Sequence, residues 1–402
     1  MKNKIVTNNI STVHWTKDSI KAIGLYKYII QIICSWPLEL RNIYWKIRST
    51  LFFAYLITSD IFLAQELLDH CGTSYDITSL FGIIFAAVSG HIKILLLHIY
   101  NDNIKFIVTN FINDWSIIED EKSRKIMRQY SSLNRILFFC ILTSMFCYTL
   151  KLTIEGLPQK IIIDNITVIE RLLPLSAKCW DFSDTPIVIY AFQFTCRIFE
   201  FIIYNITSCG IDLYFFILTM HICGQVEITN SNLMNFKTIT NGVFDKKKFY
   251  EIIIRQKYLF NLINLLRESF NYTILTVLLI SGIHLNIIII MIFIALKNND
   301  INSVIRDAAG TIFYFFSQIF IYCYAGEKLS SVIQNSCFSV YSCYWYNFSI
   351  KTRKDIKYIM LRNSQEFHLT AGKFYHMNLE NFTSIVKTLV SFFSVMRLVI
   401  FE

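Results

Sequence analysis

Between Phe270 and Leu296 the chain reads FNYTILTVLLISGIHLNIIIIMIFIAL, a run without a single Asp, Glu, Lys or Arg. Wound as a helix it is about 40 Å long, enough to cross the ~30 Å hydrocarbon core of a bilayer. In lipid only helices and closed barrels satisfy their own backbone, and a continuous apolar run of this length without alternation is a helix. Comparable runs surround it at Ile47 to Ala64, Ile77 to His98, Ile136 to Ile154, Ile187 to Cys223, Ala308 to Gly326 and Ile385 to Ile400. The fourth is too long for one crossing, so its end from Asp212 onward is expected to continue as helix on the aqueous side. The fold class is therefore an all-α, seven-transmembrane-helix protein. Its composition agrees, since 54% of 402 residues are hydrophobic, 16% are aromatic, and only 12 Gly and 4 Pro interrupt them.

The net charge of +9 is spread over several connections and forms no compact basic domain, which excludes nucleic acid as the partner. Lys and Arg instead report orientation. The segments 1–48, 99–135, 221–268 and 327–380 carry 28 of them, against 5 in 65–76, 155–186 and 297–307. Seven crossings then put the N-terminus in the cytoplasm and the C-terminus outside, opposite to a G-protein-coupled receptor. Residues 1–36 hold no signal-peptide core, so the first spanning helix is expected to direct insertion. A transporter would show paired Gly- or Pro-broken helices in both halves, which are missing. Below the membrane, Leu259, Leu262, Ile263, Leu266 and Phe270 recur at helical spacing, as expected of a packed cytoplasmic layer where subunits meet.

Ionisable residues at membrane depth mark water, a partner or snorkelling. They are Asp60, Lys93, Lys151, Arg197, Glu200, Asp212, Lys387 and Arg397. Arg197 and Glu200, three apart, can neutralise each other, whereas Lys93 and Lys151 near helix ends are expected to snorkel. Lys387 and Arg397 make the last helix a candidate water-facing surface, with intersubunit or headgroup pairing as the alternative. Gly82, Ala86 and Gly90 form a four-residue ladder that permits close packing, expected within the bundle. Aromatic residues populate the outer halves of the helices. A pocket for a small apolar ligand is sought among Phe81, Ile84, Phe85, Ser144, Tyr148, Phe194, Phe313, Tyr314 and Ser317.

Catalytic motifs are missing: there is no phosphate loop, no H-E-x-x-H and no G-x-S-x-G, so no enzyme, cofactor or metal is expected. His91, His221 and His284 stand on separate helices as structural hydrogen-bond partners. The eleven Cys lack zinc spacing and read mostly as buried small hydrophobes. Cys71 and Cys179 fall on the oxidising side, where a bridge and two free thiols are both open. Of the sequons at Asn9, Asn165, Asn205, Asn271, Asn347 and Asn381, Asn165 alone falls in an extracellular loop and is the glycosylation candidate.

The stretch from Ser349 to Phe401 contains a basic turn at Lys351 to Lys354. After it come MLRNSQ at Met360 to Gln365, LTAGKFY at Leu369 to Tyr375, LENFTSIVK at Leu379 to Lys387 and SFFSVMR at Ser391 to Arg397. This region resembles the signature of the insect odorant receptors, as do His221, Gln225, Tyr322, Cys323 and Gly326. Phe392 departs from it, since the family usually has Tyr there, and a T-Y…Q-F ending typical of gustatory receptors is missing. The resemblance implies an odour-binding subunit of a heteromeric, ligand-gated, non-selective cation channel. It further implies a heterotetramer with the olfactory co-receptor in the plasma membrane of olfactory neuron dendrites. A gustatory-type channel and a structural subunit without its own ligand are the alternatives. The implied layout is a cytoplasmic segment 1–46, helices one to six over 47–326 with the pocket in their outer half, a cytoplasmic anchor 327–384, and a pore helix with its tail over 385–402. Within the anchor, Leu361 to Phe374 would hold subunits together. Carried over by motif, the gate falls on Val395, Leu398 and Val399. Val395 and Val399, four apart, share a helix face, and a narrow apolar ring blocks ions by dewetting.

Overall fold

The structure is a computed structural model that describes residues 14–69, 74–163, 166–171, 173–174, 182, 185–236, 246–297, 301–343 and 345–401. Ten α-helices are described: α1 (Lys17–Ile32), α2 (Ile43–Leu68), α3 (Ser74–Ile99), α4 (Asn101–Ile117), α5 (Glu121–Glu155), α6 (Ile187–Met234), α7 (Lys246–Lys297), α8 (Ile301–Ser342), α9 (Ile350–Asn363) and α10 (Leu379–Phe401). Two short hairpins, β1 (Gln159–Ile163) with β2 (Ile166–Glu170) and β3 (Thr370–Ala371) with β4 (Tyr375–His376), are each antiparallel. Among the described residues, α2, α3, α5, α6, α7 and α8 are long and apolar enough to cross a membrane. The seventh span is α10, which starts at Leu379 rather than Ile385 and is diluted by Ser384, Lys387, Thr388, Ser391 and Ser394. It is amphipathic.

Helix starts follow local chemistry. Thr16 and Ser19 form a capping box on α1, and Asn42 Oδ1 accepts the Trp45 N–H at 2.9 Å to open α2. Asp120 caps α5 by accepting from the Ser123 backbone N–H and hydroxyl, which holds its carboxyl below the usual range.

At 48, 52 and 42 residues, α6, α7 and α8 are each about twice the length that a bilayer needs. Their surplus forms the cytoplasmic layer. Leu259, Leu262, Ile263, Leu266 and Phe270 are all buried there, as the helical spacing predicts. A second apolar cluster joins Leu233 of α6, Phe236 just past its end, Phe249 of α7, Val340 of α8 and Ile356 of α9. Tyr250 donates to Asp355 at 2.7 Å across this layer, and that bond raises the phenol's pKa. The continuation of α6 beyond Asp212 is also as expected, and from Gly210 to Val226 it is buried throughout.

The Gly82 to Gly90 ladder packs within the bundle. A Cβ at Gly82 would stand 3.5 Å from the His284 ring on α7, and one at Gly90 3.5 Å from Thr207 on α6. Cys34, Cys209, Cys223, Cys323 and Cys343 are buried, but Cys140 and Cys147 lie exposed on the outer face of α5. Cys71, Cys179 and Asn165 lie outside the described residues, and so does the side chain of Val399.

Candidate functional site: buried charges, outer aromatic contacts and the face of α10

Lys93 does not snorkel. It is fully buried on α3, and its Nζ donates to both oxygens of Asp212 on α6, at 2.8 and 2.9 Å, and to Ser208 Oγ at 3.1 Å. Asp212 also accepts from the Gln318 amide at 2.8 Å and the Tyr322 hydroxyl at 2.6 Å, both on α8. An ammonium near a helix end reaches for headgroups only when no carboxylate is closer. Here the pair is neutral, its lone pairs are filled, and it bolts three helices together.

A second knot joins α2, α3 and α6. Arg197 donates to Glu200 at 3.2 Å, as the spacing predicts, and also to Glu66 at 3.0 Å, a residue beyond the expected end of the first span. Tyr204 donates to Asp60 at 2.8 Å, and His91 lies 3.4 Å from the same carboxylate. His221 bonds Asp114 at 3.1 Å, and His284 Nε2 meets the Gly82 carbonyl at 2.5 Å, so these imidazoles bond structural partners.

The nine pocket candidates do not converge on one cavity. Phe81, Ser144 and Phe313 are exposed on the chain's surface. Phe81 follows buried Leu80 by about 100°, Phe313 lies about 160° round from buried Phe315, and Ser144 about 120° from buried Phe138. Ile84 packs toward Leu63 and Leu80 between α2 and α3. Phe194 closes on Tyr190 and Gly156 at the outer end of the bundle. The others fall into two groups. Phe85 meets the His284 ring, which stacks on Phe315 at 4.2 Å. Tyr148 on α5 packs against Phe201 of α6 at 5.6 Å, and its ring edge would stand 4.0 Å from a Cβ at Gly310. One turn below Gly310, Tyr314 accepts from the Gln318 amide at 2.9 Å, and Ser317 donates to the Tyr314 carbonyl. Between α5 and α8, a Cβ added at Gly310 would meet only the Tyr148 ring, at 4.0 Å, with Phe201 packed on Tyr148 and Tyr314 one turn further along α8 toward the Lys93–Asp212 bolt.

The inner end of α10 is held by its hairpin. The Asn271 side chain on α7 accepts from the Lys373 N–H at 2.9 Å and the Thr370 hydroxyl at 3.2 Å, and its carbonyl accepts from the Gly372 N–H. Gly372 and Lys373 both have positive φ, so the turn needs a residue without a Cβ at 372, where one would strike the Phe374 ring. Asn271 is a sequon by sequence, yet it is buried and committed to this clamp. Above it, Phe382 of α10 packs on Phe316 and Phe320 of α8, and Phe393 stacks on Phe293 of α7 at 5.1 Å. The opposite face of α10 presents Glu380, Ser384, Lys387, Thr388, Ser391, Val395 and Leu398, all exposed. Hydroxyls dominate its inner part and apolar side chains its outer end. Arg397 is exposed as well.

Long helices, buried ion pairs at membrane depth and a half-polar last span define a multi-pass membrane protein of the seven-helix class, with a cytoplasmic N-terminus. The family described as 7tm Odorant receptor matches residues 76–390, and the chain belongs to that family. It is 25% identical over 142 residues to the Odorant receptor coreceptor of Ooceraea biroi, covering 35% of this chain and 29% of that protein. It is 24% identical over 198 residues to Odorant receptor 13a of Drosophila melanogaster, covering 45% of this chain and 46% of that protein. The aligned part thus spans less than half of either relative. The fold is similar to that of the insect olfactory receptor OR5 from Machilis hrabei. With that receptor in complex with eugenol, the TM-score is 0.73 at 14% identity, covering 95% of this chain and 100% of that one.

Proposed function

We propose that the chain is the ligand-binding subunit of a heteromeric odour-gated cation channel, with α10 lining the pore and a small apolar ligand binding in the outer half of the bundle. The observation that carries this reading is the exposed stripe of α10. Ser384, Lys387, Thr388 and Ser391 on one face of a spanning helix are unfavourable against hydrocarbon and favourable against water. Seven-helix subunits arranged around an axis would turn these stripes toward a shared aqueous path, with Val395 and Leu398 as its apolar constriction. Val399, one residue further round, completes the ring by motif.

In this reading the ligand site lies beside Gly310, where the Phe201 ring and the two phenols of Tyr148 and Tyr314 suit a small, weakly polar molecule. α8 carries its effect to the pore. One side of α8 meets the ligand at Tyr314, and the other seats Phe382 of α10 on Phe316 and Phe320. A ligand opens the channel only by binding the open arrangement more tightly. Burying a small apolar molecule supplies a few kcal/mol at about 25 cal/mol per Å², which shifts a poised equilibrium by one to a few powers of ten.

Co-receptor pairing is supported by the coreceptor relatives and by the cytoplasmic layer, which leaves Leu361, Phe374 and Tyr358 exposed. The test is whole-cell current in cells expressing the chain with an olfactory co-receptor, under a panel of volatile ligands. Ligand-evoked cation current with the co-receptor, and none from the chain alone, is expected. Equal current from the chain alone overturns the heteromeric reading. A co-assembled complex at the surface whose currents do not depend on this chain's pocket residues marks a structural subunit instead.

A further inference from the structure

A cavity of about 250 Å³ lies between α1 and the loop leading to α2, lined by Trp15, Lys27, Gln31, Trp36, Leu38 and Glu39. Its depth is set by Trp36, which is buried against Tyr214 of α6, two residues beyond Asp212. That is the cytoplasmic edge of the bundle, the side on which the chain concentrates its Lys and Arg. Two indoles bordering a polar cavity at this level are what a membrane–water interface favours.

The charges in the cavity are unequal. Both oxygens of Glu39 are taken by Arg48 Nη2, at 2.9 and 2.7 Å. Lys27 has no carboxylate partner among the described residues, and its ammonium is held over the Trp15 ring at 5.1 Å. The acid is therefore neutralised and the cation is not. Lys17, Lys21, Arg41 and Lys46 add to the positive field, while Asp18 is paired with Arg128 at 3.3 Å. The surroundings are apolar and uncovered. Ile20, Leu25, Tyr28 and Ile32 are exposed on α1, and Ile43, Tyr44 and Ile47 on α2. A free anion would answer Lys27 and leave these faces bare, whereas an amphiphile answers both.

We propose that this cavity binds the phosphate-bearing headgroup of an anionic lipid of the cytoplasmic leaflet, its acyl chains lying along the exposed faces of α1 and α2. Lys27 and the Gln31 amide supply the donors, and Trp15 fixes the ammonium. The site is independent of the ligand and pore readings.

The test is native mass spectrometry of the purified full-length chain released from detergent, titrated separately with phosphatidylserine, phosphatidylcholine and inorganic phosphate. Phosphatidylserine should be retained in preference to phosphatidylcholine. Lys27→Gln should weaken that retention about fivefold, the effect of one Lys at an anionic surface. Lys21→Gln, on the same helix but outside the cavity, removes the same charge from the surrounding field alone and should weaken retention much less than Lys27→Gln. Should Lys27→Gln not give a monodisperse protein, Gln31→Leu is read the same way. Equal retention of the two lipids, or of phosphatidylserine by the parent and Lys27→Gln, overturns the proposal. Displacement of phosphatidylserine by inorganic phosphate at matched concentration overturns the lipid assignment in favour of a free-anion site.

Discussion

Replacing Lys93 with Met leaves Asp212 buried with the Gln318 and Tyr322 donors but without its counter-charge. Replacing Asp212 with Asn leaves a buried ammonium facing a neutral amide. Removing one partner of a buried pair costs about 3–5 kcal/mol, because the other charge stays desolvated. At about 2.1 cal/mol/K of unfolding entropy per residue, 402 residues correspond to about 0.8 kcal/mol/K, so each single change should lower the melting temperature by about 4–6 °C. The double variant Lys93→Met with Asp212→Asn carries no buried charge, and the new amide oxygen still accepts from the Tyr322 hydroxyl. It should recover most of that loss, because an uncharged replacement of such a pair is close to neutral. The assay is thermal unfolding of the purified chain followed by size-exclusion fluorescence, read as a double-mutant cycle. Additive losses in the double variant, or single shifts under about 1 °C, would refute a closed ion pair bolting α3, α6 and α8.

Other consequences follow from the proposed outer ligand site, the pore face and the orientation. Val395→Ser places a polar group in the apolar end of the α10 stripe and should raise ligand-independent current, while Met396→Ser, about 100° round on the packed side, should lower total current instead; equal effects refute the assigned face. Gly310→Leu fills the space beside Tyr148 and should raise the half-maximal ligand concentration about tenfold or more without loss of surface protein; an unchanged dose-response curve places the ligand elsewhere. An epitope after Glu402 should stain on intact cells, and one before Met1 only after permeabilisation; the reverse refutes the orientation.

The spans are legible in the sequence because lipid leaves so few solutions: a run such as Phe270 to Leu296 has no fold but a membrane helix. The cytoplasmic layer is legible through the helical period of Leu259 to Phe270. Partners across helices are not. Lys93 and Asp212 are 119 residues apart, and nothing in either local sequence reveals that they meet. Glu66 escapes a reading by hydropathy because it falls beyond the apolar run, although α2 continues to Leu68. Asn271 is visible in the sequence only as a sequon. Its position inside a long apolar helix is the usable signal, since an amide there needs a partner. The pocket is the least legible element, because a single aromatic reads the same whether it faces the bundle or lipid. Phe85 and Tyr314 turn inward, while Phe81 and Phe313 turn out. The gate motif rests on resemblance, and its face becomes specific only once Phe382 and Phe393 show which side of α10 is packed.

The claim on which the account rests is that the Ser384 to Leu398 stripe of α10 faces the ion path. Cysteine accessibility at Ser391 tests it most directly, in channels formed with the co-receptor and with the parent channel as control for the native cysteines. A charged methanethiosulfonate reagent applied from outside with ligand should block current through Ser391→Cys, far more slowly without ligand, and leave Met396→Cys on the packed face unmodified. Ser391→Cys current that is indifferent to the reagent, or modification of both positions at the same rate, would contradict the account.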